Sequence, residues 1–128
     1  MLDGTFAHVS EVVDRFLRSL ATRDYDALAE CFAPSAKLRA LVPTRVREED
    51  GPEAITARFR FWLDDYDEYQ VVATDAEPIA DREQLRYLIR GVDPQDGPGV
   101  MEQRGYATVD DGRISELNIV CTGFRPDA

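Results

Sequence analysis

At 128 residues the chain suits one domain, 1–128, large enough to bury a core, and 44% hydrophobic residues argue for folding over disorder. Fifteen basic against 25 acidic residues leave a net charge of −10, which argues against non-specific binding to nucleic acid or anionic lipid. No apolar run approaches the ~18 residues that would span a membrane.

The first element expected is a helix over Thr5–Leu20. Val9, Val12, Val13, Phe16, Leu17 and Leu20 recur at helical spacing, with charged residues opposite. Asp24 is placed to cap a short second helix that carries Tyr25, Leu28 and Phe32 and ends at Pro34. A strand over Ala36–Val42 and a polar loop over Pro43–Asp50 follow. Asp50-Gly51-Pro52-Glu53 has the form of a capping box, with Asp50 at the cap. The third helix it opens carries Ile55, Phe59, Trp62, Leu63 and Tyr66 as an apolar stripe.

The second half reads as strands at Tyr69–Ile79 and Glu83–Val92, joined by an Asp81-Arg82 turn. After a breaker-rich loop over Asp93–Gly99, a long hairpin runs from Val100 to Val109 and from Arg113 to Thr122 around Asp111-Gly112. The last six residues read as a loose tail. Helices first and a meander last predict an α+β fold, a curved mixed sheet wrapped around three helices.

Alternation sets Leu85, Tyr87, Ile89 and Gly91 on one face, with Met101, Gln103, Gly105, Ala107 and Val109 from the next strand. Ser115, Leu117, Ile119 and Cys121 join them from the last. These sets are the more apolar and are expected to face the helices. Their small members, Gly91, Gly105, Ala107 and Ser115, predict room for a ligand pocket, walled by Leu38, Ala40, Ile89, Gly105 and Ile119 of the sheet and by Phe16, Phe59 and Trp62 of the helices. The competing expectation is that the large helix residues fill that space as ordinary core.

Three inward polar groups stand out. Tyr87 and Gln103 either bond each other or the backbone, or orient a ligand's carbonyl or hydroxyl. Cys121 is either a nucleophile or a small buried hydrophobe. If the protein is an enzyme, these three are its candidate catalytic residues. His8 sits at the edge of the first helix's apolar face. One histidine and no clustered thiols predict neither a metal site nor a cofactor, and no phosphate loop or dinucleotide fingerprint occurs. Cys31 and Cys121 belong to no pair motif, and Met1-Leu2-Asp3-Gly4 is acidic where a secretory leader is basic, so a cytoplasmic location is expected. On the opposite sheet face Arg86, Arg90, Glu102, Arg104 and Tyr106 suit a homodimer interface or an ordinary solvated surface.

Several segments in order, Val13-Asp14-Arg15-Phe16-Leu17-Arg18-Ser19-Leu20, Asp24-Tyr25-Asp26-Ala27-Leu28, Cys31-Phe32-Ala33-Pro34, Gly51-Pro52-Glu53-Ala54-Ile55 and Asp111-Gly112-Arg113-Ile114, resemble the nuclear transport factor 2-like superfamily. Within it they resemble the SnoaL-like polyketide cyclases and ketosteroid isomerases. The resemblance implies a cone-shaped α+β barrel with a small hydrophobic ligand between helices and concave sheet, and frequent dimers. It does not fix a function, since this fold hosts isomerases, dehydratases, hydrolases, cyclases and plain binders. Ketosteroid isomerases place a tyrosine where Phe16 stands, a base where Ala40 stands, and a protonated aspartate where Arg104-Gly105 stands. Enolisation needs a base and an oxyanion donor, so steroid isomerisation is not expected. A cofactor-independent cyclase, isomerase, dehydratase or hydrolase, a non-catalytic carrier or sensor, and a dimeric interaction module are the functions left open.

Overall fold

In the computed structural model, which describes residues 9–127, three helices lie against one seven-stranded mixed sheet. The helices are α1 (Glu11–Thr22), α2 (Tyr25–Glu30) and α3 (Pro52–Leu63). The strands are β1 (Phe32–Val42), β2 (Arg45–Asp50), β3 (Asp67–Ile79), β4 (Arg82–Asp93), β5 (Gly97–Asp110), β6 (Arg113–Cys121) and β7 (Arg125–Pro126). The strands run in the order β2-β1-β6-β5-β4-β3, with β7 paired to β5 off this path; the sheet is open, with β2 and β3 at its edges, and among the described residues only the β1–β6 pair is parallel.

The apolar stripe of α1 is buried through Val12, Val13, Phe16 and Leu20. The helix starts later than its pattern predicts, because Ser10 is extended and ties the chain to β4: its N–H and hydroxyl both donate to the Glu83 carboxylate, at 2.7 and 2.5 Å. Thr5–His8 lie outside the described residues, and with them the expectation for His8. The helix ends at Arg23, which is left-handed at φ 51° and donates through Nη1 to Leu63 O and Tyr66 O, so one side chain closes α1 and satisfies carbonyls at the end of α3.

Asp24 caps α2 as expected, accepting from Ala27 N. Phe32, expected on that helix, instead opens β1. Pro34 lies within the strand, at a break in register between Phe32 and Lys37 that needs no donor from it. The expected loop over Pro43–Asp50 is largely β2, paired antiparallel to β1 across a turn at Thr44 (φ 77°). As an edge strand it buries little, so it carries no hydrophobic alternation to read. Asp50 ends β2 and bonds Lys37 at 3.4 Å; the residue before α3 is Gly51 at φ 88°, with no side-chain cap.

The β3–β4 turn falls at Ala80-Asp81, one residue earlier than expected. Strands occupy most of the expected 93–99 loop and leave a turn of Pro94-Gln95-Asp96, held by the Asp93 carboxylate accepting from Gln95 N and Asp96 N. The Asp111-Gly112 hairpin is as expected, both residues having positive φ (53° and 76°), the form a two-residue turn requires. The expected tail contains β7, which pairs with β5 at Gly99 and Val100.

Inner and outer faces fall as predicted along β4 and β5. In β6 a bulge at Thr108/Val109 rotates the strand's start, so Ile114 is buried in place of Ser115, whose hydroxyl donates to Asp110 Oδ2 at 2.8 Å. Two inner glycines leave no room. A Cβ on Gly105 would lie 2.0 Å from Asn118 O and 2.6 Å from Ile119 Cγ2, and one on Gly91 would lie 3.0 Å from Tyr66 Cβ.

Candidate functional site

Tyr87, Gln103 and Cys121 stand side by side across the concave face of the sheet. Tyr87 pairs with Gln103 between β4 and β5, and Gln103 pairs with Cys121 between β5 and β6. They are 0%, 1% and 6% exposed. The strand pleat puts all three on the helix side, and the Tyr87 hydroxyl donates to Gln103 Oε1. That leaves the Gln103 amide nitrogen, Nε2, buried without a partner. The opposite amide orientation is worse, since Nε2 would then donate to the hydroxyl while Oε1 and the hydroxyl proton both lost partners. An unmet buried donor costs about 1–3 kcal/mol.

Among the described residues the other buried side-chain atom without a partner is Thr56 Oγ1 on α3. A helical threonine can turn its hydroxyl onto a carbonyl of the preceding turn, so this atom points to no ligand.

The predicted wall residues surround this row. Phe16 meets Phe32, Phe59 and Tyr87 edge to face, with centroids 6.0, 5.7 and 6.0 Å apart, and Phe59 meets Trp62 at 5.2 Å. Leu38, Ala40, Ile89, Ile119 and Phe59 are buried and Trp62 is half-buried. Phe16 thus fills the space between Tyr87 and Phe59, where an open cavity was one of the two expectations. Grooves of about 240–560 Å³ lie elsewhere on the described surface, and none of these five borders Tyr87, Gln103, Cys121, Phe59 or Trp62.

Burial pushes the Tyr87 hydroxyl well above its ordinary pKa, with the Cys121 thiol as the next cause, so at neutral pH it is a neutral donor. No carboxylate, histidine, lysine or arginine is buried among the described residues; the buried polar side chains besides tyrosine and cysteine are Ser19, Thr56 and Gln103. The three positions that carry proton transfer in ketosteroid isomerases hold the phenyl ring of Phe16, the methyl of Ala40 and, at Arg104-Gly105, an outward guanidinium beside a bare backbone. A row of this kind can orient a polar atom of an apolar guest, while the interior lacks a carboxylate to move its protons.

Two aromatic residues outside the predicted wall cover one end of the concave face. Tyr66, between α3 and β3, and Phe124, between β6 and β7, stack with centroids 5.1 Å apart. They lie over Gly91 and Gly99, which face each other across β4 and β5. The sequence pattern assigns Tyr66 to the third helix's stripe and Phe124 to the tail, whereas α3 ends at Leu63. Glycines turned inward at one end of neighbouring strands were the available signal that something bulky rests on them.

On the outer face Glu102 takes both Arg86 and Arg104, at 2.5 and 2.8 Å, and these hydrogen bonds hold its carboxyl below the usual range. Arg90 pairs with Asp127. Tyr106 is 45% exposed. Val46, Leu41 and Val120 form an exposed apolar row across β2, β1 and β6, continued by Arg104 and Arg86. A groove of about 320 Å³ lies beside it, bordered by Gln84, Arg104, Tyr106, Asn118 and Val120. Among the described residues no helix is long and apolar enough to cross a membrane and no cluster suited to a metal ion occurs.

Comparison with known proteins bears on this architecture. The chain is similar to a solved protein provisionally assigned as a polyketide cyclase from Streptomyces antibioticus, at 19% identity and a TM-score of 0.70 over 87% of this chain and 89% of that one. It is similar to another so assigned from Sinorhizobium meliloti, at 23% identity and 0.65 over 87% and 94%. A protein from Catenulispora acidiphila with a ketosteroid isomerase-like fold, solved with trimethylamine, gives 14% and 0.70 over 88% and 85%. No curated protein matches. The likenesses carry the fold alone, while the sequence profile of the SnoaL-like domain matches residues 13–117. The chain therefore belongs to the SnoaL-like domain family.

Proposed function

We propose that this protein binds a small, mostly apolar molecule against the concave face of its sheet, with an acceptor oxygen of that molecule taken by the Gln103 amide. The observation that carries this reading is the unpartnered Gln103 Nε2, 1% exposed and fixed in direction by the Tyr87 bond. A neutral carbonyl or ether oxygen supplies what the buried donor lacks, and among the described residues no buried cation stands ready for an anion. Phe16, Phe59 and Trp62, with Leu38, Ala40, Ile89, Gly105 and Ile119, supply the apolar surround, and the rings yield space by rotamer change when the guest enters. Because relatives of this fold are assigned as polyketide cyclases, cyclic polyketide-like ketones are the compounds to try first. The reading is a binder before an enzyme, since the titratable groups of the row are Tyr87 and Cys121, and Glu83, the carboxylate on the same face of β4, is taken up by Ser10 at the start of α1.

The test is a thermal-shift and calorimetric comparison of apolar ketones with the hydrocarbons of the same shape. The ketone is expected to raise the melting temperature more than its hydrocarbon. Gln103→Leu is expected to remove that difference and weaken ketone binding roughly tenfold, about the worth of one buried hydrogen bond. Equal binding of ketone and hydrocarbon to the unaltered protein contradicts the reading.

A second reading concerns assembly. The exposed row of Val46, Leu41 and Val120 beside Tyr106 and the Arg86–Glu102–Arg104 network favours a homodimer through the outer face, with Arg90 at its margin. Val120→Glu is expected to convert the dimer to monomer in sedimentation, with folding intact because the side chain faces outward. Sedimentation of the unaltered protein as a monomer at micromolar concentration contradicts it.

A further inference from the structure

The end of the cone nearest Cys121 is closed by aromatic rings, and one of them rides on a weakly held strap. Phe124 lies between Cys121, the last residue of β6, and the two residues of β7. The strap departs at Gly123, whose φ of 72° makes it a natural pivot and whose N–H donates to Cys121 Sγ at 3.3 Å. Beyond Phe124 it is held to β5 by the short β7 pairing and by Asp127 N donating to Pro98 O at 2.9 Å, and to β4 by the exposed Arg90–Asp127 ion pair. These are few, solvent-reached contacts of the kind that open locally without global unfolding. The opposing ring is fixed, because the Tyr66 carbonyl accepts from Arg23 and its Cβ rests on Gly91. The Phe124 edge lies against Gly99, where a Cβ would sit 2.7 Å from Cζ.

Inward from the glycines beneath the stacked rings the inner pairs run Ile89–Met101 and then Tyr87–Gln103, with Cys121 beside Gln103, all facing the interior and all under 7% exposed. Cys121 adds to the raised hydroxyl pKa of Tyr87 after burial, and to that of Tyr66 after burial and the Asp93 carboxylate, which sets it within electrostatic reach of the ring at the mouth and the ring within.

We propose that residues 124–127 form a gate, in which rotation about Gly123, beyond the anchor of Thr122 on Glu102, lifts Phe124 off Tyr66 and opens the passage over Gly91 and Gly99 to Cys121 and Gln103. What passes through it rests on the proposed function; the opening itself does not. A gate reconciles a closed resting interior with a small-molecule site, and it makes the Tyr66–Phe124 stack the element that sets guest size.

Alkylation of the folded full-length chain with iodoacetamide, followed residue by residue by mass spectrometry, tests it with no ligand present. Cys31, 0% exposed at the opposite end of the interior, is the internal control. Cys121 is expected to react at least tenfold faster than Cys31. Phe124→Ala is expected to speed Cys121 at least tenfold further and leave Cys31 unchanged. Asp127→Ala, which removes one surface tether and leaves the core intact, is expected to raise the Cys121 rate alone severalfold and gives the same reading if Phe124→Ala does not fold. Equal rates at the two thiols, or rates that rise together in the variants, overturn the gate by showing access only through global unfolding. Selective Cys121 labelling without ketone binding removes the proposed function and keeps the gate; ketone binding with strap-independent labelling does the reverse.

Discussion

Phe16→Ala is expected to lower the unfolding free energy by about 3–5 kcal/mol, the range for removing a buried phenyl ring and leaving a cavity. Phe16 is 0% exposed and is the ring through which Phe32 of β1, Phe59 of α3 and Tyr87 of β4 all meet. Aromatic pairs at these edge-to-face distances add to the loss beyond burial area. The backbone of α1 cannot move in to fill the gap, because Ser10 is bonded to Glu83 at one end and Arg23 to Leu63 and Tyr66 at the other. Urea denaturation of both proteins gives the difference. A loss below about 1 kcal/mol contradicts the packing described, since it is what a side chain facing an existing hollow shows.

Alkali is expected to unfold the protein steeply above pH 10. Burial raises the Tyr25 and Tyr66 hydroxyls to about 12, with nearby Asp64 and Asp93 carboxylates as the next causes. Burial also raises Tyr69, whose hydroxyl donates to Leu20 O at 2.8 Å, and carries Tyr87 well above its ordinary value. Below pH 10 these groups are protonated in folded and unfolded chains alike, and pH has no effect through them. Above it the unfolded chain releases protons that the folded chain holds, so stability falls with rising pH by up to about 1.4 kcal/mol per pH unit for each group. Cys31, raised by burial from an ordinary 9.0, begins the decline slightly earlier. Tyrosinate absorbance and circular dichroism, followed together from about pH 8 to about pH 12, are expected to show these tyrosines ionising only as the fold is lost. Ionisation of all four near pH 10 with the fold intact contradicts their burial.

The parts of the fold legible in the sequence were those where one face is buried. The α1 stripe, the α3 stripe and the alternation in β4 and β5 follow directly from burial on one side, and Asp111-Gly112 declared its hairpin by turn chemistry. The same logic found Tyr87, Gln103 and Cys121, because a period of two puts them on the apolar side. What it missed has other origins. β2 is an edge strand of mostly charged residues, whose half-buried Glu49 pairs with Arg58 of α3, and β7 is two exposed residues, so neither leaves a hydrophobic pattern. The β6 bulge changed which of Ile114 and Ser115 is buried through backbone geometry that spacing does not encode. Small inner residues predicted emptiness, whereas Gly91 and Gly105 are small because Tyr66 and Ile119 press against them.

A guest bound against the concave face would rest on the Gln103 amide. The most direct measurement is the nuclear magnetic resonance signal of the Gln103 side-chain amide during titration with a ketone that stabilises the protein. Both amide protons are expected to shift with saturation, together with the backbone of Tyr87 and Cys121. Shifts confined to Gln84, Tyr106, Asn118 and Val120 around the outer groove, with the Gln103 amide unmoved, would contradict it.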